Sequence, residues 1–298
     1  MLDDFDKLLI LEQNAKKKYS HFNIGKTEWG QNILCYVLGD AESEKSILLH
    51  GTIHAREYIS SFVLYKMMDY LSHFYIPCKL YFIPLVNKDG AMLCIKKNLL
   101  FSQKNHEKIE KNYNFVKNID KNDVKLAKRL LSRYDMNLLK SNAKGVDLNV
   151  NFDCDWGEGK HNFFSYPSYQ NFIGTRPCCS KENKCLIRAT KNLRPSLTLS
   201  FHSRGEVFYY GYKGESKPLK QIEKVYKTII KKSTKYKAIF TKGSTGGYKD
   251  WCITKLSIPS FTIELAPDSI PHPISSIHTD IIFAKVKSLV LDLSKSLE

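Results

Sequence analysis

Apolar residues in this chain fall into short runs and helical stripes, separated by turns rich in Gly, Asn and Asp. A stripe of Phe5, Leu8 and Leu9, widened by Leu11 and Ala15 and interrupted by Glu12, predicts an amphipathic helix over 5–18. Strands are expected at 21–24 and 33–38, joined through turn signals at Gly25 and Gly30. Ser46-Ile47-Leu48-Leu49 reads as a buried strand that Gly51 breaks, and an apolar-periodic helix runs from near Glu57 to about His73. Leu80 to Val86 suits another buried strand despite Pro84, ended by Asn87-Lys88-Asp89-Gly90. If the two strands are parallel, this order implies a right-handed crossover.

Residues 97–140 are Lys- and Asn-rich, with helical periodicity only over about 124–131, and read as an excursion from the sheet. Gly145 to Asp153 mixes polar and apolar residues as a loop does. A helix at 184–191 then precedes a strand at 196–202, followed by a strand at 207–212 and a helix at 219–230. A Gly-rich turn at 243–251 leads to the strand Ser260 to Leu265, and an amphipathic helix over 277–297 closes the pattern. A length of 298 residues allows one α/β domain or two smaller ones. No Pro-, Gly- or Ser-rich linker and no internal repeat divides it.

Composition narrows the class. The 43% hydrophobic content is that of a globular protein, and no apolar run approaches the ~20 residues that span a bilayer. The stretch Met1 to Asp6 is acidic where a secretory signal is basic and then apolar, so a cytoplasmic location is expected, with release at the cell wall or spore by lysis as the alternative. Eight scattered cysteines contain no Cys-x-x-Cys pair and read mostly as buried thiols, a metal or disulfide at Cys178, Cys179 and Cys185 being the minor alternative. The net charge of +16 is spread as lysines along the chain. No Arg-rich reading element or nucleic-acid motif accompanies it, which leaves a solvated surface or steering of acidic substrates. Nothing in the pattern bears on oligomeric state.

The candidate chemistry gathers at strand ends. His54 and Glu57 fall in the strand-to-helix turn after residue 51, where an imidazole and a carboxylate can face one point. With a distant His they make the open, three-ligand site of a catalytic zinc; the alternative is a surface turn with a carboxylate at a helix start. His202 ends a core-like strand, either as a structural histidine or at the carboxyl edge of an α/β sheet, where sites collect. Glu264 lies in the apolar context Phe-Thr-Ile-Glu-Leu, where a carboxylate needs a cationic partner or serves as a general base.

In order and spacing, these residues make the chain resemble the zinc metallocarboxypeptidases of the carboxypeptidase A type, over about residues 20–295. The resemblance implies a single α/β catalytic domain over 1–298, with a mixed, mostly parallel twisted sheet flanked by helices and the excursion at 97–140. It implies one Zn²⁺ per chain held by His54, Glu57 and His202, with Glu264 as general base. Arg56 falls on a substrate-binding position and Asn149, in Gly-Val-Asp-Leu-Asn, on the position whose amide holds a substrate carboxylate. Two departures stand out. The digestive enzymes follow that Asn with a carboxylate-clamping Arg, where this chain has Val150, and their capping Tyr aligns with Lys242. Tyr248 is a substitute for that Tyr or a packed core aromatic, and Arg133 is a loose candidate for the oxyanion-stabilising Arg.

Three segments instead resemble the bacterial γ-D-glutamyl-L-diamino acid peptidases of this family: Gly145 to Asn149, His202 to Glu206, and Ser244 to Trp251. By implication Arg204 holds a substrate carboxylate, its alternative being a salt bridge to Glu206 or another acid. The expected partner is then a peptide or muropeptide, cut at the bond from D-glutamate to meso-diaminopimelate or Lys. Alternatives are a carboxypeptidase acting on L-peptides and a non-catalytic basic binding protein on the same fold.

Overall fold

A computed structural model describes residues 2–96, 116, 118–160 and 164–297. Of the excursion expected at 97–140, residues 97–115 and 117 lie outside the described residues. Among the described residues eight strands form one sheet: β1 (Ser20–Lys26), β2 (Asn32–Gly39), β3 (Ser46–Gly51), β4 (Lys79–Ile83), β5 (Leu197–Ser203), β6 (Val207–Tyr210), β7 (Lys237–Phe240) and β8 (Ser260–Leu265). Their spatial order is β1-β2-β4-β3-β5-β8-β6-β7. The central strands β4, β3, β5 and β8 run parallel, so their carboxyl ends share one edge. β1, β2 and β6 join as antiparallel neighbours, and β7 pairs parallel with β6.

The apolar runs explain which strands lie centrally. β3 and β5 are buried along their whole length, as strands must be when paired on both edges and covered on both faces. Alternate residues serve opposite layers: Ile47, Leu49, Leu197, Leu199 and Phe201 join one core, and Leu48 joins the other with Ile83. The first core is closed by the helices Asp4–Lys18, Ile59–Leu71, Thr279–Val286 and Leu289–Lys295, the second by Lys181–Leu193 and Tyr248–Leu256.

Some elements depart from the sequence expectation. Asn87 to Gly90 does not merely end β4 but starts the helix Lys88–Lys96, because the Asn87 carboxamide oxygen accepts the Gly90 N–H at 3.0 Å and Met92, Leu93 and Cys94 go into the core. The Gly-rich turn gives way at Gly247, its N-cap, to Tyr248–Leu256. The C-terminal helix is two pieces, parted at Lys287 and Ser288. All eight cysteines are free, with Cys178 and Cys179 partly exposed and the others buried. Among the described residues no helix is long and apolar enough to cross a membrane.

A buried acidic knot ties the turn between β1 and β2 to the helices Lys88–Lys96 and Lys181–Leu193. Asp89 accepts from Thr27 Oγ1 at 2.8 Å, Gln31 Nε2 at 2.6 Å and the Trp29 N–H at 2.7 Å, while Glu182 accepts from the Glu28 N–H and Asn142 Nδ2, both at 3.0 Å. Burial, reinforced by Asp89 and Glu28, pushes Glu182 up to about 8 from an ordinary 4.5. Between those values the folded chain keeps a proton that the unfolded chain releases. This contribution to stability is therefore complete below the ordinary value and is lost as pH rises through the folded one. Glu182→Gln should flatten the fall in stability between pH 5 and 8, followed by urea unfolding across that range; an unchanged slope would clear Glu182 of the effect.

Candidate metal centre and catalytic cavity

His54 follows β3 and caps the 3₁₀ turn Ala55–Glu57, whose backbone is pinned by Ala55 N–H to Lys140 O at 3.1 Å and Arg56 N–H to Leu139 O at 2.7 Å. His202 is the penultimate residue of β5, the strand beside β3. The parallel register thus delivers two imidazoles from distant segments to one edge, and Glu57 closes the set. His54 Nδ1 lies 3.0 Å from Glu57 Oε1, His202 Nδ1 lies 3.0 Å from Glu57 Oε2, and the two Nδ1 atoms are 3.2 Å apart. All three side chains are buried, and their ligand atoms fall within 4.8 Å of one another.

The outer nitrogens are already engaged. His54 Nε2 meets Asp147 Oδ1 at 3.3 Å and His202 Nε2 meets Ser200 Oγ at 3.0 Å, which leaves each Nδ1 facing the common point. Asp147 is itself held by the N–H groups of Asn149 at 3.2 Å and Asn171 at 3.0 Å. The electrostatics agree. Burial opposes a charged His54, yet Glu57 and Asp147 overcome it and raise its pKa to about 9. Burial likewise opposes ionised Glu57, yet the two imidazoles hold it well below the usual carboxylate range, while burial pushes His202 down. The cluster therefore gathers positive charge at its centre among buried carboxylates. Two imidazoles, one carboxylate and outer partners on both rings fit a catalytic zinc, whose charge takes the place of that proton.

Glu264 stands one strand away. It is the penultimate residue of β8 and lies in register with His202. Burial and the Glu57 carboxylate push it up to about 8, against the pull of His54, Lys140 and Arg56. His54, His202 and Glu264 together line a cavity of about 310 Å³, with Asn149 and Lys140 also in its wall. The other side of the cavity comes from the stretch between β7 and Tyr248–Leu256. Gly246 lets the two loops close: it has φ +73°, and a Cβ there would lie 2.6 Å from Val150 O.

A family model described as zinc carboxypeptidase matches residues 9–281. The chain belongs to the zinc carboxypeptidase family. Among curated relatives, the chain is 26% identical over 270 residues to uncharacterized protein YqgT of Bacillus subtilis (strain 168), covering 84% of this chain and 65% of that one. It is 25% identical over 297 residues to gamma-D-glutamyl-L-diamino acid endopeptidase 1 of Lysinibacillus sphaericus, covering 94% and 67% respectively. The chain thus spans about two thirds of the length of these relatives. Among solved structures, bovine thrombin-activatable fibrinolysis inhibitor in complex with tick carboxypeptidase inhibitor superposes with a TM-score of 0.69 at 17% identity, covering 98% of this chain and 95% of that one.

The remaining residues expected to bind substrate separate. Asn149 lines the cavity, where its Oδ1 accepts the Tyr248 N–H at 3.1 Å. Tyr248 itself does not line the cavity. It is fully buried, its hydroxyl bonded to Thr190 Oγ1 at 2.9 Å and its ring edge-on to His50 at 4.4 Å, so the packed-aromatic alternative describes it. Arg204 stands outside the cavity lining, donating to Ile270 O at 2.5 Å and pairing with Asp268 at 3.5 Å, while Glu206 takes Lys285. Arg56 also stands outside the lining, with Nη1 on Leu138 O at 3.3 Å, and acts on Glu264 only through its charge.

Two residues escaped the sequence reading. Asp147 lay in a loop whose Asp and Asn content reads as turn chemistry, although the same loop carries Asn149. Lys140 is one cation among 46 Lys and Arg residues. Its backbone is fixed between Tyr169 O and the Ala55 N–H, its side chain lines the cavity, and its ammonium has no hydrogen-bond or ion-pair partner among the described residues.

Proposed function

We propose that this chain is a zinc-dependent peptidase that hydrolyses the γ-D-glutamyl-L-diamino acid bond of peptidoglycan-derived peptides. The observation that carries the proposal is the convergence of His54, Glu57 and His202 on one point, with Glu264 in register on the neighbouring strand. His54, Glu57 and His202 would hold the ion. Zinc bound there supplies Lewis acidity at the scissile carbonyl and lowers the pKa of an attacking water. Glu264 accepts a proton from the attacking water on a carboxylate oxygen and returns it to the nitrogen of the leaving amine. Asp147 keeps the His54 ring turned toward the centre, and Asn149 offers its amide to a substrate carboxyl or carbonyl group. Lys140, also in the cavity wall, supplies positive charge for the carbonyl oxygen as it becomes negative, a role that no Arg among the described residues of the lining fills.

Substrate class rests on the residue after Asn149. The Val150 side chain can neither hydrogen-bond nor neutralise a free C-terminal carboxylate, which disfavours an exopeptidase clamp of the digestive kind. The endopeptidase named among the relatives fits that difference. Mass spectrometry of products from a defined tetrapeptide-bearing muropeptide and from a peptide ending in Phe tests the reading. Scission between D-glutamate and the diamino acid is expected; release of Phe with the muropeptide intact would replace it with an L-peptide carboxypeptidase.

A further inference from the structure

Between residues 217 and 237 the chain carries eight lysines and a single carboxylate, Glu223, against a net charge of +16 for all 298 residues. Close to half of the excess charge therefore sits on the helix Lys217–Thr234 and the residues that lead from it into β7. Leu219, Tyr226 and Ile230 bury the inner face of that helix. Lys217, Lys220, Lys224, Lys227 and Lys231 recur at three- and four-residue spacing and so share one outer flank, a row roughly 20 Å long.

Nothing among the described residues neutralises this row. None of the five lysines forms an ion pair or a side-chain hydrogen bond there, and Lys227 Nζ lies over the Tyr210 ring at 4.5 Å. Glu223 is 3% exposed, and burial beside Glu215 pushes it up to about 8 from an ordinary 4.5. Glu215 in turn accepts the Tyr212 N–H. The other outer flank is apolar: Ile222 and Val225 are 45% and 54% exposed, and Ile229 continues their spacing. Like charges three and four apart weaken a helix, and side chains left in water add nothing to its packing. Stability of the fold explains neither row.

We infer that this face of the helix Lys217–Thr234 docks on an anionic lipid bilayer, with the lysines on headgroup phosphates and Ile222 and Val225 in the acyl boundary beneath them. A row of cations beside exposed aliphatic side chains matches the two layers of such a surface. A hydrated polyanion such as DNA would satisfy the lysines and give Ile222 and Val225 nothing to bury against. A second copy of the chain presenting the same face would set lysine against lysine. No residue of the helix lines the catalytic cavity, so docking leaves the residues of the proposed reaction untouched.

Flotation of the full chain with phosphatidylcholine vesicles containing about 30% phosphatidylglycerol, and with phosphatidylcholine vesicles alone, tests the assignment. Binding to the first and not the second is expected at about 0.1 M salt; binding to neither, or equally to both, overturns it. Lys220→Gln/Lys224→Gln/Lys231→Gln should weaken binding by about 10²-fold, since a lysine at such a surface contributes about fivefold. The same loss of charge at Lys26, Lys184 and Lys191, on and beside the helix Lys181–Leu193 of the opposite layer, should cost about threefold at most. Equal losses in the two variants would trace the binding to net charge and remove the helix from it. Ile222→Ser/Val225→Ser should weaken vesicle binding at least about fivefold while leaving any retention on a DNA duplex unchanged. If that variant binds vesicles as the wild type does, or the wild type binds the duplex more tightly than the vesicles at the same salt, the face is a polyanion site and the bilayer assignment fails. All the exchanged side chains are exposed, so each variant should keep the wild-type far-UV circular dichroism.

Discussion

Replacing Glu264 by Gln should lower turnover by at least about 10³-fold, near the upper range for removal of a general acid–base group, while the variant still binds one zinc per chain. The amide keeps the size and much of the hydrogen bonding of the carboxyl but takes up no proton at neutral pH. Glu264 is also not one of the three clustered ligand residues, so metal content should survive. Zinc stoichiometry by atomic absorption beside single-turnover kinetics on the muropeptide makes the comparison. A variant retaining a tenth or more of the wild-type rate would remove Glu264 from the proton-transfer role. A variant that lost its zinc would instead make Glu264 part of the metal site.

Lys140→Met should cost about 10²–10³-fold in kcat, the range seen when one donor to a developing oxyanion is removed. Methionine preserves the apolar stem and deletes only the charge. The backbone hydrogen bonds of residue 140 to Tyr169 and Ala55 do not involve the side chain, so the His54 turn should stay in place. The split between kinetic constants identifies the role. Charge stabilisation confined to the transition state lowers kcat with KM little changed, whereas binding of a substrate carboxylate raises KM at nearly constant kcat. Arginine at 140 should restore part of the lost kcat under the first assignment. If Lys140→Met changes neither constant, the lysine is only a solvated neighbour of the cavity.

The parts of the fold and site that were legible in the sequence are those where burial imposes a pattern. β3, β5 and β8 are apolar runs because they are paired on both sides, and His54, His202 and Glu264 stand out because polar groups break those runs at the strand ends. Where a side chain rather than a pattern decides, the reading fell short. The helix Lys88–Lys96 depends on the Asn87 side chain, and a run of Asn, Lys, Asp and Gly reads equally as a turn. β7 is a four-residue edge strand with half of its residues exposed, so it leaves no alternation to find. Tyr248 looks like an active-site aromatic from its place after Gly246 and Gly247, and only the His50 ring and Thr190 hydroxyl beneath it reveal its role in the core. Lys140 and Asp147 depend on long-range packing of loops, to which local periodicity is blind.

The two imidazoles are 148 positions apart in sequence yet sit on the adjoining strands β3 and β5 or just beyond them. A cation gripped there works as a clasp across the seam of the molecule, and it strengthens that seam by an amount that grows with the logarithm of free metal. Parting of β3 from β5 would carry His202 away from His54 and Glu57 and so dissolve the three-ligand site. Metal occupancy during unfolding therefore reports on cohesion at the middle of the sheet, and a chelator attacks the architecture at the same place where it attacks catalysis.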